Sequence, residues 1–116
     1  MKTRAPECGL EAVVALVGAK WKLLILYYLT AEPRRFGELK RLVGGISEKM
    51  LIQQLREMVA DEIVTREDFK TIPPRVEYAV TEFGRGLGEA LKPLNEWGEA
   101  NKQRVVANRR SERKGE

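Results

Sequence analysis

Lys49, Gln53 and Arg56 are spaced by four and three residues. At about 100° per residue they share one side of a helix, with Ile52 at its edge. These side-chain types can read the edges of DNA bases. A glutamine amide pairs bidentately with adenine, lysine and arginine meet guanine or phosphate, and isoleucine can touch a thymine methyl. The opposite side of the same helix carries Leu51, Leu55 and Met58, with Val59 at its margin. Ser47 is placed to cap the helix start, because its hydroxyl can accept a hydrogen bond from a free first-turn amide. Glu48 then sits where the helix dipole favours negative charge. Residues 47–60 are therefore predicted as a short helix with one packing face and one reading face. An ordinary amphipathic surface helix has the same pattern, so the neighbouring segments must decide.

Before this helix, residues 35–43 predict another, with Phe36, Leu39, Leu42 and Val43 inward. Gly44-Gly45 forms the turn between them. Two short helices joined by a glycine turn make a helix-turn-helix, whose second helix enters the major groove. After it, residues 63–69 are rich in β-formers. Residues 75–81 alternate, with Val76, Tyr78 and Val80 on one face. The intervening Lys70-Thr71-Ile72-Pro73-Pro74 is an extended loop. A hairpin directly after a recognition helix reads as a wing rather than a plain β-hairpin. Lys70, Thr71 and Arg75 are its candidate contacts to the DNA backbone or a narrow minor groove. Arg35 and the Ser47 amide region are further phosphate candidates. Arg56 lies farther from the helix start than Lys49 and Gln53, which favours phosphate for it.

Two outer segments complete the pattern. Residues 9–17 place Leu10, Val13, Val14 and Val17 on one side and stop at Gly18. In residues 82–106, Leu87, Leu91, Leu94 and Trp97 form a stripe, and Pro93 is a point at which the helix can bend. Such a stripe either covers the local core or meets a second copy of the chain. A small domain has little surface to shelter four large side chains on a trailing helix, which favours the second copy. Between them, residues 20–29 predict a central core helix, with Trp21, Leu24, Ile25 and Tyr28 recurring on one side. Residues 102–116 lose the apolar pattern after Val106 and are predicted to be a basic tail, frayed or flexible. The fold class expected is mainly α with a small β-hairpin (α+β). Residues 1–101 form one winged helix-turn-helix domain, with dimerisation helices at 9–17 and 82–106.

Net charge is +4 over 116 residues, but residues 1–101 hold 15 basic and 15 acidic side chains, so the tail carries the whole excess. Attraction to phosphate must come from local arrangement. There is no histidine, which removes the commonest general base and metal ligand. With one cysteine, a zinc site is not expected, and no phosphate-cradling or nucleophile-elbow motif appears. The chain is not expected to be an enzyme or to need a cofactor. Apolar runs are too short to span a bilayer and no signal peptide is evident, so a cytoplasmic protein is expected. Cys8 has no internal disulfide partner. It precedes a helix and lies near Lys2 and Arg4, features that raise the thiolate fraction. A small buried residue is the alternative reading.

Together these segments resemble the HxlR-type winged helix-turn-helix regulators of bacteria. The matching residues are Cys8, Lys20-Trp21, Arg35-Phe36-Gly37-Glu38-Leu39, Ile46-Ser47-Glu48-Lys49-Met50-Leu51 and Gln53-Gln54-Leu55-Arg56. Pro73-Pro74-Arg75-Val76-Glu77-Tyr78, Thr81-Glu82-Phe83-Gly84 and Trp97-Gly98 complete the match over about residues 8–99. The resemblance implies a homodimer on a pseudo-palindromic DNA operator, and a response to oxidants or electrophiles through Cys8. A constitutive regulator and a winged-helix protein-contact module remain as alternatives. The chain departs from the family pattern at three positions. Ala19 and Glu62 stand where glycine is usual, and Ile52 replaces a small hydroxyl residue. If position 62 needs a positive φ, glutamate is strained there.

Overall fold

The computed structural model describes residues 5–18 and 20–114, with side chains through residue 112; Lys2, Arg4 and Ala19 lie outside them. Among the described residues, five helices and three short strands follow one another. They are α1 (Gly9–Val17), α2 (Lys20–Ala31), β1 (Arg34–Arg35), α3 (Phe36–Val43), α4 (Glu48–Ala60), β2 (Val64–Asp68), β3 (Val76–Val80) and α5 (Glu82–Lys114). The sheet is antiparallel in the order β1-β3-β2. The expected hairpin is therefore present, joined by a third strand with no signal in the sequence pattern. Two arginines carry no alternation, and only pairing of Arg34 with Tyr78 and Arg35 with Glu77 makes them a strand.

The core gathers one face of every long element: Val17, Ile25, Leu26, Leu29, Leu39, Ile46, Leu51, Leu55, Met58, Ile63, Val64 and Leu91. Helix α2 is apolar nearly all round and runs through the middle, as such a helix must. Its fully buried side is Ile25, Leu26 and Leu29, while Trp21 and Tyr28 are only partly covered. Leu42, expected inward, is exposed on α3. Among the described residues Gln54 is the buried polar one; its Nε2 meets the Met50 sulfur at 3.4 Å and its Oε1 has no hydrogen-bond partner among them.

Three features fix where α4 and the sheet sit. The Ser47 hydroxyl accepts from the Met50 amide at 3.1 Å, which caps α4 as expected. At the other end, the Glu62 amide donates to the Val59 carbonyl and the Ile63 amide to the Met58 carbonyl. This paired closure puts Glu62 in the left-handed region at φ 63°, so glutamate does occupy a strained position. Thr81 then ties the sheet to α5. Its hydroxyl donates to the Glu62 carbonyl at 2.7 Å and accepts from the Gly84 amide at 2.8 Å. Gly84 packs on the Ile63 backbone so closely that any Cβ would collide with the Ile63 carbonyl.

The stripes assigned to a dimer interface divide. Val17 and Leu91 (1% and 8% exposed) are core residues of their own chain, a correction to the expected interface set. Periodicity alone cannot separate a helix's inward from its outward apolar edge. Val13 and Leu87 are partly buried against the same core. Leu10, Val14, Leu94 and Trp97 remain well exposed, the last two at 61% and 62%. A second correction concerns the tail, for α5 continues unbroken through Pro93 and through residues 102–114. No glycine or proline interrupts residues 99–114. Asn101 donates to the Trp97 carbonyl at 2.9 Å, and Lys102–Glu99 and Arg109–Glu112 pair at i,i+3 spacing.

Candidate nucleic-acid interface

Helices α3 and α4 meet through Gly44 and Gly45, both at positive φ (68° and 72°). That conformation suits glycine and lets the chain reverse within two residues. Burial of Leu51, Leu55 and Met58 under α4 fixes its rotation. The opposite side presents Lys49, Ile52, Gln53 and Arg56 together, and with Glu48 and Glu57 they line one shallow surface groove. The four residues expected to share a reading face are thus assembled.

Their electrostatic states differ. Lys49 and Arg56 are exposed and make no ion pair or hydrogen bond with another described side chain. Gln53 Nε2 donates to Glu57 Oε2 at 3.2 Å, and Glu57 Oε1 is held by Lys22 Nζ at 2.6 Å. The Lys22 ammonium first, and the Gln53 amide second, hold the Glu57 carboxyl below its ordinary value. This relay from α2 steadies Gln53. One amide hydrogen and the carbonyl oxygen are left over, the pair that a bidentate contact with adenine requires.

The wing side is organised otherwise. Arg75 donates to Glu77 Oε2 from two nitrogens at 3.0 and 2.6 Å, and its guanidinium lies 4.5 Å over the Phe69 ring. It is held against the sheet rather than extended. Lys70 sits at φ 57° at the wing tip, with its amide donating to Asp68 Oδ1. The Thr71 hydroxyl donates to the Pro73 carbonyl at 2.9 Å, and Ile72 beside it is fully exposed. Arg35 is exposed where β1 runs into α3, and its amide donates to Glu38 Oε1 at 2.9 Å. Arg66, in the middle of β2 and exposed near α4, is a further cation beside the reading face, outside the expected set. The alternation of its strand was the available signal, since it sets Arg66 on the face of buried Val64.

Cys8 lies at the N-cap of α1, away from these elements in sequence, and is exposed in the single chain. Its Sγ is 3.8 Å from Glu11 Oε1.

The family model for HxlR-like helix-turn-helix proteins matches residues 16–106. The chain belongs to that family. The uncharacterized HTH-type transcriptional regulator YkvN of Bacillus subtilis (strain 168) is 46% identical to this HxlR-type chain over 92 residues. That match covers 79% of the chain and 78% of YkvN. Among solved structures, the redox regulator HypR in its oxidized form is 42% identical. It aligns at a TM-score of 0.76 over 81% of this chain and 97% of that one. Its reduced form aligns at 0.78 with 39% identity, over 86% and 99%. The HxlR-type chain is a transcriptional regulator of winged-helix architecture, and its relatives are regulators rather than enzymes. No single helix among the described residues is long and apolar enough to cross a membrane.

Proposed function

We propose that the chain acts as a homodimer that places its two α4 helices in successive major grooves of a pseudo-palindromic operator. The half-sites would lie about 34 Å apart or a multiple of that. The observation that carries this reading is the α4 face itself. Lys49 and Arg56 are free cations, Ile52 is an apolar contact, and Gln53 is braced by Glu57 with half its amide still available. Lys49 and Gln53 read bases and Ile52 meets a thymine methyl, while Arg35, Ser47, Lys70, Thr71 and Arg75 serve the backbone. Exposed Leu10 and Val14 on α1, and Leu94 and Trp97 on α5, support the second copy as the partner of the outer helices. Apolar side chains this large, on two elements, are more than scattered surface residues. Sedimentation of the free protein should give twice the chain mass, and Trp97→Asp should return it to one. Titration of a labelled duplex from upstream of its own gene should give saturable binding that falls steeply with salt. A monomer indifferent to that duplex would leave the protein-contact reading instead.

A second element is favoured by the exposure of Cys8 and by the redox regulators among the structural relatives. With one cysteine per chain, oxidation joins Cys8 to the Cys8 of a second copy or to a small thiol. Each bond passes two electrons and two protons to the oxidant, and a quinone instead alkylates the sulfur. Diamide or a quinone should lower operator affinity in the wild type and not in Cys8→Ser. Equal response of both proteins would make this a constitutive regulator.

A further inference from the structure

Beside the reading face, a cleft of about 400 Å³ separates α4 from the sheet, lined by Ile52, Leu55, Arg56, Val59, Arg66 and Tyr78. Ile52 and Arg56 border both surfaces, so the cleft continues the face that would meet DNA. Its lining is apolar except for two guanidinium groups and the Tyr78 hydroxyl. Arg56 comes from α4, and Arg66 comes from β2, opposite Tyr78. Both are exposed, and neither has an ion pair or hydrogen bond with another described side chain. No carboxylate lines the cleft. Asp68, two residues along the same strand face, accepts from the Lys70 amide, and Glu57 on α4 is held by Lys22.

Two unpaired like charges facing one cleft repel, and an anion between them relieves that repulsion. The guanidinium fork matches phosphate oxygens. An apolar floor beside the cations suits the carbon face of a deoxyribose. We propose that Arg56 and Arg66 clamp one backbone phosphate of the bound duplex, with its sugar over Val59 and Tyr78. This rests on the DNA-binding reading above and divides α4 by task. Its first turns read bases, and its last turns, with β2, hold the strand in register.

The test is anisotropy titration of the upstream duplex and an unrelated duplex of equal length, at several salt concentrations. The proteins are wild type, Arg66→Ala, Arg66→Lys, Arg56→Ala and the double alanine variant. Arg66→Ala should weaken both duplexes by the same factor, and the double alanine variant, which leaves the phosphate without a cation, should lower the log–log salt slope by about 0.9 per protomer. Arg66→Lys should keep most of the affinity. The double variant should lose less than the sum of the single losses, because one phosphate is shared. Unchanged affinity in Arg66→Ala and an unchanged slope in the double variant, beside a wild type that binds steeply with salt, would remove the clamp and leave DNA binding intact. Loss confined to the upstream duplex would also overturn it, as a base contact. A wild type with no salt-dependent affinity for either duplex would overturn both readings.

Discussion

On α4, Lys49 and Arg56 extend into solvent with no carboxylate bound, whereas on the wing Arg75 is closed on Glu77 and stacked over Phe69. The backbones differ as well. Helix α4 is capped by Ser47 and seated on four buried side chains, while the wing tip turns through Lys70 at positive φ and exposes Ile72 completely. A free cation on a rigid helix gains a new partner when it meets a base or phosphate. A cation already paired only exchanges a carboxylate for a phosphate, with a small net gain. On the reading proposed above, sequence preference resides on the first turns of α4, and the wing adds position and charge.

The largest effect should come from removing the support of α4. Leu51→Ala deletes a fully buried side chain and should cost about 2–5 kcal/mol in urea unfolding. It should abolish DNA binding wherever the variant is unfolded, which no wing substitution should do. Glu62→Gly, at the joint between α4 and β2, should raise stability by about 1 kcal/mol, since glycine adopts that φ without a Cβ clash. A fall in stability would show that contacts of the Glu62 side chain outweigh the strain. On the wing, Lys70→Ala should weaken cognate and unrelated duplexes alike and flatten the salt slope by about 0.9 per protomer. A loss restricted to the cognate site would move specificity onto the wing and break the comparison.

The smallest effect concerns pH. Because Glu57 titrates lower in the folded chain than its ordinary value of 4.5, its pairing stabilises fully above that value. The contribution fades as pH falls through the lowered value, and Gln53 loses its brace with it. Melting temperature should therefore drop more on acidification in the wild type than in Glu57→Gln.

Much of this arrangement was legible in the chain. Ser47, the Leu51-Leu55-Met58 face and Gly44-Gly45 placed the helix-turn-helix, because caps, helical period and positive φ are local properties. The strain at Glu62 was legible for the same reason. Strand β1 was not, since Arg34 and Arg35 acquire strand geometry only from β3. Val17 and Leu91 read as interface because periodicity marks an apolar side without saying which layer covers it. The last turns of α5 lacked an apolar pattern, yet helix propensity and i,i+3 ion pairs sustain them. The ties of Arg75 to Glu77 and of Gln53 to Glu57 are side-chain geometry, which spacing permits but does not impose.

The central claim is that the α4 face reads sequence, and Gln53 is its most direct probe. Wild type and Gln53→Ala would be titrated against the upstream duplex and against the same duplex with each A·T pair of the half-sites exchanged in turn. The account predicts a loss of about 1–3 kcal/mol for Gln53→Ala on the native duplex, and indifference of that variant to exchange at one symmetric position where the wild type is sensitive. Equal affinities of the two proteins across the whole series would contradict it.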